Sequence, residues 1–133
     1  MIIKLVILFS FFMPPDDTQL ELRITGIKEV KGTMMIAIYQ PQQKFLGDEA
    51  FLFKAIPIKQ SESFSLNINL PTGKYAISIY QDLNGDGELN TNFLGIPREP
   101  YGFSISRGSF GPPLFDDASF DVPAIKEIEI RID

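Results

Sequence analysis

The sequence predicts an all-β fold, a single antiparallel Greek-key β-sandwich of about seven strands that carries one long ordered loop. Three observations lead there. Apolar and polar residues alternate with the period of a half-buried strand in segments such as Leu20 to Ile24, Phe64 to Leu70 and Glu127 to Arg131. Turn-forming Gly, Pro, Asn and Asp separate these segments. No stretch shows the sustained 3.6-residue period of an amphipathic helix.

Residues 1–15 read as a secretory signal: one early Lys4 is followed by an apolar run that is too short to span a bilayer. Export to the periplasm or the extracellular space follows as the expected localisation. Pro14-Pro-Asp-Asp17 then breaks the run, and the β-sandwich domain is assigned to residues 16–133. Leu20, Leu22 and Ile24 give the first strand, ended by Gly26. The second, Gly32 to Gln40, has Met34, Ile36 and Ile38 on one face and Met35, Ala37 and Tyr39 on the other, so it is expected at the centre of a sheet.

Pro41 to Asp48 reads as a crossover loop in which Phe45 and Leu46 plug one end of the core. A weaker strand over Phe53 to Lys59 is edge-like because of Pro57. The clean alternation of Phe64 to Leu70 turns at Pro71-Thr-Gly73 into Lys74 to Gln81, with Tyr75, Ile77 and Ile79 on one face. The next regular signal is a strand over Leu114 to Val122, followed by a last one over Glu127 to Asp133.

The composition narrows function. A formal charge of −5 and a pI near 4.7 argue against a phosphate-neutralising surface, so nucleic acid is excluded as a partner. Cys and His are absent, which removes thiol and imidazole nucleophile–base pairs and zinc sites built on sulfur or nitrogen. Any metal must be a hard cation held by oxygen. Ser104 and Ser106 have no imidazole to activate them. Glu88, Glu99, Asp116 and Asp117 remain as carboxylates for a glycan hydrolase, but nothing in their spacing pairs them. The chain is therefore read as non-catalytic.

Residues 82–113 form a connection far longer than usual, which marks a functional loop. Its start, Asp82-Leu-Asn-Gly-Asp-Gly-Glu-Leu-Asn90, places oxygen-bearing side chains at Asp82, Asn84, Asp86 and Asn90 and the Glu88 carbonyl between them. A glycine, Gly87, stands where a tight turn needs positive φ. This is the ligand spacing of a calcium loop, and Ca2+ is the expected cofactor. Phe93 occupies the position where such loops carry a bidentate Glu, so the missing carboxylate must come from Glu99, Asn92 or the Asp116-Asp117 pair. The metal-ligand set is read as Asp82, Asn84, Asp86, Glu88, Asn90 and Glu99, with a metal-free Asn/Asp/Gly turn as the alternative. The aromatic residues Phe93, Tyr101, Phe103 and Phe110 are expected to fold inward and anchor the loop. If exposed, they would instead offer a glycan- or peptide-binding platform.

Gly73-Lys-Tyr-Ala76, the run from Asp82 to Glu99, Tyr101-Gly-Phe-Ser104 and Gly111 to Phe120 together resemble a bacterial family of small exported proteins, domain of unknown function family 2141. The resemblance implies a leader followed by a prealbumin-like or immunoglobulin-like sandwich, and no activity. Within it Gln81 stands in place of a histidine, Asn90 in place of an aspartate and Pro100 in place of a glycine. The first two changes imply a lost ligand and a lost charge. The sequence thus points to a structural or binding module of the cell envelope, with a protein or glycan partner and no stable membrane insertion.

Overall fold

The computed structural model describes residues 17–105 and 111–133. The expected signal segment, Ser106 and Phe110 lie outside them. Among the described residues, eight strands form two sheets, accompanied by one short helix.

The smaller sheet has the order β4-β1-β8. Strand β1 (Thr18–Ile27) runs antiparallel to β4 (Glu62–Leu70), with Leu22 opposite Leu66. On its other side β1 runs parallel to β8 (Glu127–Arg131), with Leu22 opposite Ile128. That parallel pair departs from the wholly antiparallel expectation. Alternation says which face a residue occupies, and it is silent about the direction of the neighbouring strand.

The larger sheet has the order β3-β2-β5-β6, with β7 also on β5. Strand β2 (Thr33–Tyr39) is central, between β3 (Leu52–Pro57) and β5 (Gly73–Asp82), as its two apolar faces predict. Pro57 closes the edge strand β3, where its missing N–H interrupts no ladder.

The core is one face from each strand. Leu20, Leu22 and Ile24, Met34, Ile36 and Ile38, Tyr75, Ile77 and Ile79, and Ile128 and Ile130 all join one buried cluster. These are the residues that the period-2 pattern assigns inward. Truncating a central member such as Ile36 to Ala is expected to destabilise the fold by about 2–5 kcal/mol.

Three local expectations are corrected. Leu114 to Val122 is not one strand: Phe115–Ala118 forms a helical turn, α1, and only Phe120–Val122 forms β7, which pairs with β5. Asp117 explains the change, because its carboxylate reaches back to accept the Leu114 N–H at 3.2 Å and stabilises a turn rather than an extended chain. The long connection from residue 82 to 113 is interrupted by a strand, β6 (Tyr101–Phe103), on the free edge of β5.

Phe45 does not plug an end of the core. It packs edge-on against Tyr39, Phe103 and Phe115, at centroid distances of 5.3, 6.4 and 6.0 Å, on the sheet face opposite Met34, Ile36 and Ile38. Leu46 is exposed, at a positive φ of 65°.

Gly102 is required by packing. A Cβ there would stand 2.7 Å from the Arg131 carbonyl and from Ile130 Cγ2, so only a bare backbone lets β6 press against β8. Tyr101 and Phe103, one residue to either side, consequently face outward. Ser104 then fixes the end of β6. Its buried hydroxyl donates to the Ala118 carbonyl at 2.6 Å and accepts the Ile77 N–H at 2.8 Å, tying β5 to α1.

Candidate metal centre

The site begins where β5 ends. Strand residues two apart share a face, so Tyr80 and Asp82 point the same way at the mouth of the loop, while Gln81 points oppositely. Gln81 Nε2 donates to the carbonyls of Glu29 and Lys31, both at 2.9 Å, and so holds the β1–β2 turn. Its side chain is directed away from the carboxylates. Position 81 therefore removes no ligand from the loop, contrary to what the resemblance implied.

Asp82, 3% exposed, organises the turn: Oδ1 accepts the Gly85 N–H at 3.1 Å and Oδ2 the Gly87 N–H at 2.8 Å. Gly87 takes φ +74°, the left-handed conformation expected of it. Asn84 Oδ1 accepts the Asp86 N–H at 3.2 Å, and Asp86 Oδ1 accepts the Glu88 N–H at 3.0 Å. The loop is thus a succession of side chains capping their own backbone.

Glu99 brings a third carboxylate to the turn. It is 5% exposed; Oε2 accepts the Leu83 N–H at 2.6 Å, while Oε1 accepts the backbone N–H and the Nδ2 of Asn90 at 2.9 and 3.1 Å. Asn90 therefore contributes as a donor to Glu99, a role that aspartate could not fill. One carboxylate oxygen each from Asp82, Asp86 and Glu99 lies within 4.8 Å of the others. Asp86 is exposed and the other two are buried, and such a group could hold a metal ion.

The remaining expected residues divide. Glu88 places its backbone in the loop while its side chain is exposed. Phe93 is 93% exposed and faces solvent. Asn92 does not join the site, because its Oδ1 accepts the N–H groups of Leu94 and Ile96. Asp116 and Asp117 belong to α1.

The residue that the sequence reading missed is Tyr80, whose hydroxyl donates to the Gly87 carbonyl at 2.8 Å. Its place two residues before Asp82 on a strand was the available signal. Burial, reinforced by Asp82, Glu99, Asp86 and Glu88, pushes the Tyr80 phenol up to about 12. Asp86 is held below the usual carboxylate range, chiefly by the Glu88 N–H and also by Asn90, Asn84 and Asp82.

The hydrogen bonds that Asp82 and Glu99 accept come from backbone amides and from Asn90, with no cationic donor among them. Two buried carboxylates beside a third are electrostatically unfavourable without a counter-charge. Each oxygen retains acceptor capacity beyond the N–H it binds. A hard, oxygen-preferring cation fits both conditions.

The fold and loop define a small two-sheet β-protein with a carboxylate-lined turn at one end. Residues 22–131 match the family described as an uncharacterized protein conserved in bacteria (DUF2141), and the chain belongs to that family. No curated protein and no solved structure matched it. Among the described residues no helix is long and apolar enough to cross a membrane.

Proposed function

We propose that the segment from Asp82 to Glu99 binds Ca2+ and that the protein is a non-catalytic, exported Greek-key sandwich serving as a structural or binding module of the cell envelope. The observation that carries the reading is the convergence of Asp82, Asp86 and Glu99 within 4.8 Å. Glu99, sixteen residues beyond Leu83 in the pair it hydrogen-bonds, closes a loop whose own spacing lacks a final carboxylate. The loop spacing assigns Asn84 and the Glu88 carbonyl as the further oxygens of the set, and Asn90 positions Glu99. Calcium is favoured over magnesium because an irregular, partly flexible oxygen shell suits the larger ion, whereas magnesium demands near-octahedral geometry. With three carboxylates, one of them exposed, affinity is expected at ~10⁻⁴ to 10⁻³ M, the range of extracellular modules.

Thermal melts in millimolar calcium, in magnesium and in chelator test this. A rise specific to calcium is expected, since an ion that binds the native state alone must stabilise it. Equal melting in all three defeats the reading.

A second reading, glycan or peptide capture, is favoured by the outward-facing pair Tyr101 and Phe103. Their rings meet edge to face at 5.7 Å on the outer face of the larger sheet, with Phe45 against Phe103, and both are half-buried. Flat, partly exposed rings suit stacking against sugars and apolar side chains. Binding of an envelope glycan panel that is lost in Y101A would support it, and unaltered binding in that variant would count against it.

A further inference from the structure

Residues Asn90 to Glu99 form a narrow hairpin. Thr91 bridges Pro97, the Asn92 N–H donates to the Ile96 carbonyl at 2.8 Å, and the Arg98 N–H donates to the Asn90 carbonyl at 2.7 Å. At its tip Phe93 is 93% exposed, Leu94 68% and Ile96 55%. A Cβ added at Gly95 would meet nothing within 4 Å, so the turn between Leu94 and Ile96 opens onto solvent. Single exposed apolar residues are ordinary; three large ones gathered on one projection are not.

The backbone of this tip is prepared for an environment without water. Asn92 Oδ1 accepts the N–H groups of Leu94 and Ile96 at 2.9 and 3.0 Å, and the Asn92 carbonyl accepts the Gly95 N–H at 3.0 Å. Unpaired amides are what ordinarily bars a loop from hydrocarbon, and here three consecutive ones are turned inward onto one residue, two onto the Asn92 side chain and one onto its carbonyl. A convex apolar tip needs a matching cavity to dock on a protein, whereas a lipid interface closes around it without one. The exposed Arg98 lies at the neck of the same hairpin, where its guanidinium can meet a phosphate.

We infer that this hairpin docks shallowly and reversibly into a phospholipid surface, with Phe93, Leu94 and Ile96 below the headgroups and Arg98 at phosphate level. The docking involves no transmembrane span, and it rests on the hairpin rather than on the calcium reading.

The chain has no Trp, so F93W places a single indole at the tip. The full-length protein is mixed with phosphatidylethanolamine–phosphatidylglycerol vesicles, in calcium and again in chelator. The expected result is a blue-shifted indole emission that brominated lipids quench. Because the reporter is local, vesicle binding through residues 1–16 alone does not produce it. Adding L94S and I96S in the same background is expected to weaken partitioning by about tenfold or more, with the melting temperature retained because both side chains are exposed. Emission unchanged by vesicles under both conditions, partitioning indifferent to L94S and I96S, or a blue shift that arises without lipid through self-association would each overturn the proposal.

Discussion

Replacing Glu99 with Gln tests the calcium centre at its most informative atom. The substitution keeps the shape but converts one acceptor of a carboxylate that takes three hydrogen bonds, from Leu83 N, Asn90 N and Asn90 Nδ2, into a donor. Without metal two effects oppose each other. A charge-assisted hydrogen bond worth about 1.5–3 kcal/mol is lost, while repulsion from Asp82 and Asp86 is relieved. The calcium-dependent gain cancels both. At ~10 mM calcium and a Kd of ~10⁻⁴ to 10⁻³ M, the parent should gain about 1.4–2.7 kcal/mol. For a domain of this size that corresponds to a rise of roughly 4–11 °C. Losing one of three carboxylates should weaken binding at least about tenfold, which reduces the gain by about 1 kcal/mol, or roughly 3–5 °C. Differential scanning calorimetry of both proteins, each in calcium and in chelator, measures the difference of differences. If E99Q keeps the parent's full calcium-dependent rise, Glu99 is no ligand and the proposed centre fails.

Other consequences are as direct. S104A leaves the Ile77 N–H and the Ala118 carbonyl unpaired in the interior and should destabilise the fold by about 2–5 kcal/mol; a denaturant midpoint equal to the parent's would contradict the role given to this hydroxyl. G102V drives a side chain into the Arg131 carbonyl and Ile130, and amide exchange over Tyr101–Phe103 should accelerate by an order of magnitude or more, as expected when a packed edge strand is released. Tyr80, with its phenol pushed up to about 12 from 10.0, is protonated in the fold after it has ionised in the unfolded chain. Stability should therefore fall as pH rises from 10.0 to about 12, and Y80F should flatten that decline; an equal decline in Y80F would show that another group is responsible.

Much of the sandwich was legible because burial imposes a period. Wherever a strand has one wet face, as in Leu20-Glu-Leu-Arg-Ile24, the inward set could be read directly and lies in the core. Direction and adjacency were not, since Ile128 and Ile130 alternate identically whether β8 runs with β1 or against it. Strand β6 was hidden by its brevity and by Gly102, which breaks the apolar rhythm because of contact with β8 rather than because of a turn. The acidic turn was visible through spacing, and Glu99, one of the residues to which the vacancy at Phe93 directed attention, does lie beside Asp82 and Asp86. What composition could not decide was the orientation of the aromatic residues. Phe93 was expected inside and stands in solvent, because the hairpin is held by Asn92 and Glu99 through hydrogen bonds and needs no buried ring.

The parallel pairing of β1 and β8 gives the molecule two unlike poles. Thr18 enters beside Leu70, at the end where Gly73 faces Val122. Asp133 leaves beside Tyr101, exchanging main-chain hydrogen bonds with it, two residues from Glu99. The ten residues of β1, nine rises along the strand, set these poles about 30 Å apart. A fusion, tag or surface tether joined ahead of Thr18 therefore holds the domain with its acidic loop and apolar hairpin facing outward. An attachment made at Asp133 would crowd them, so the point of attachment determines which face an immobilised form of this domain presents.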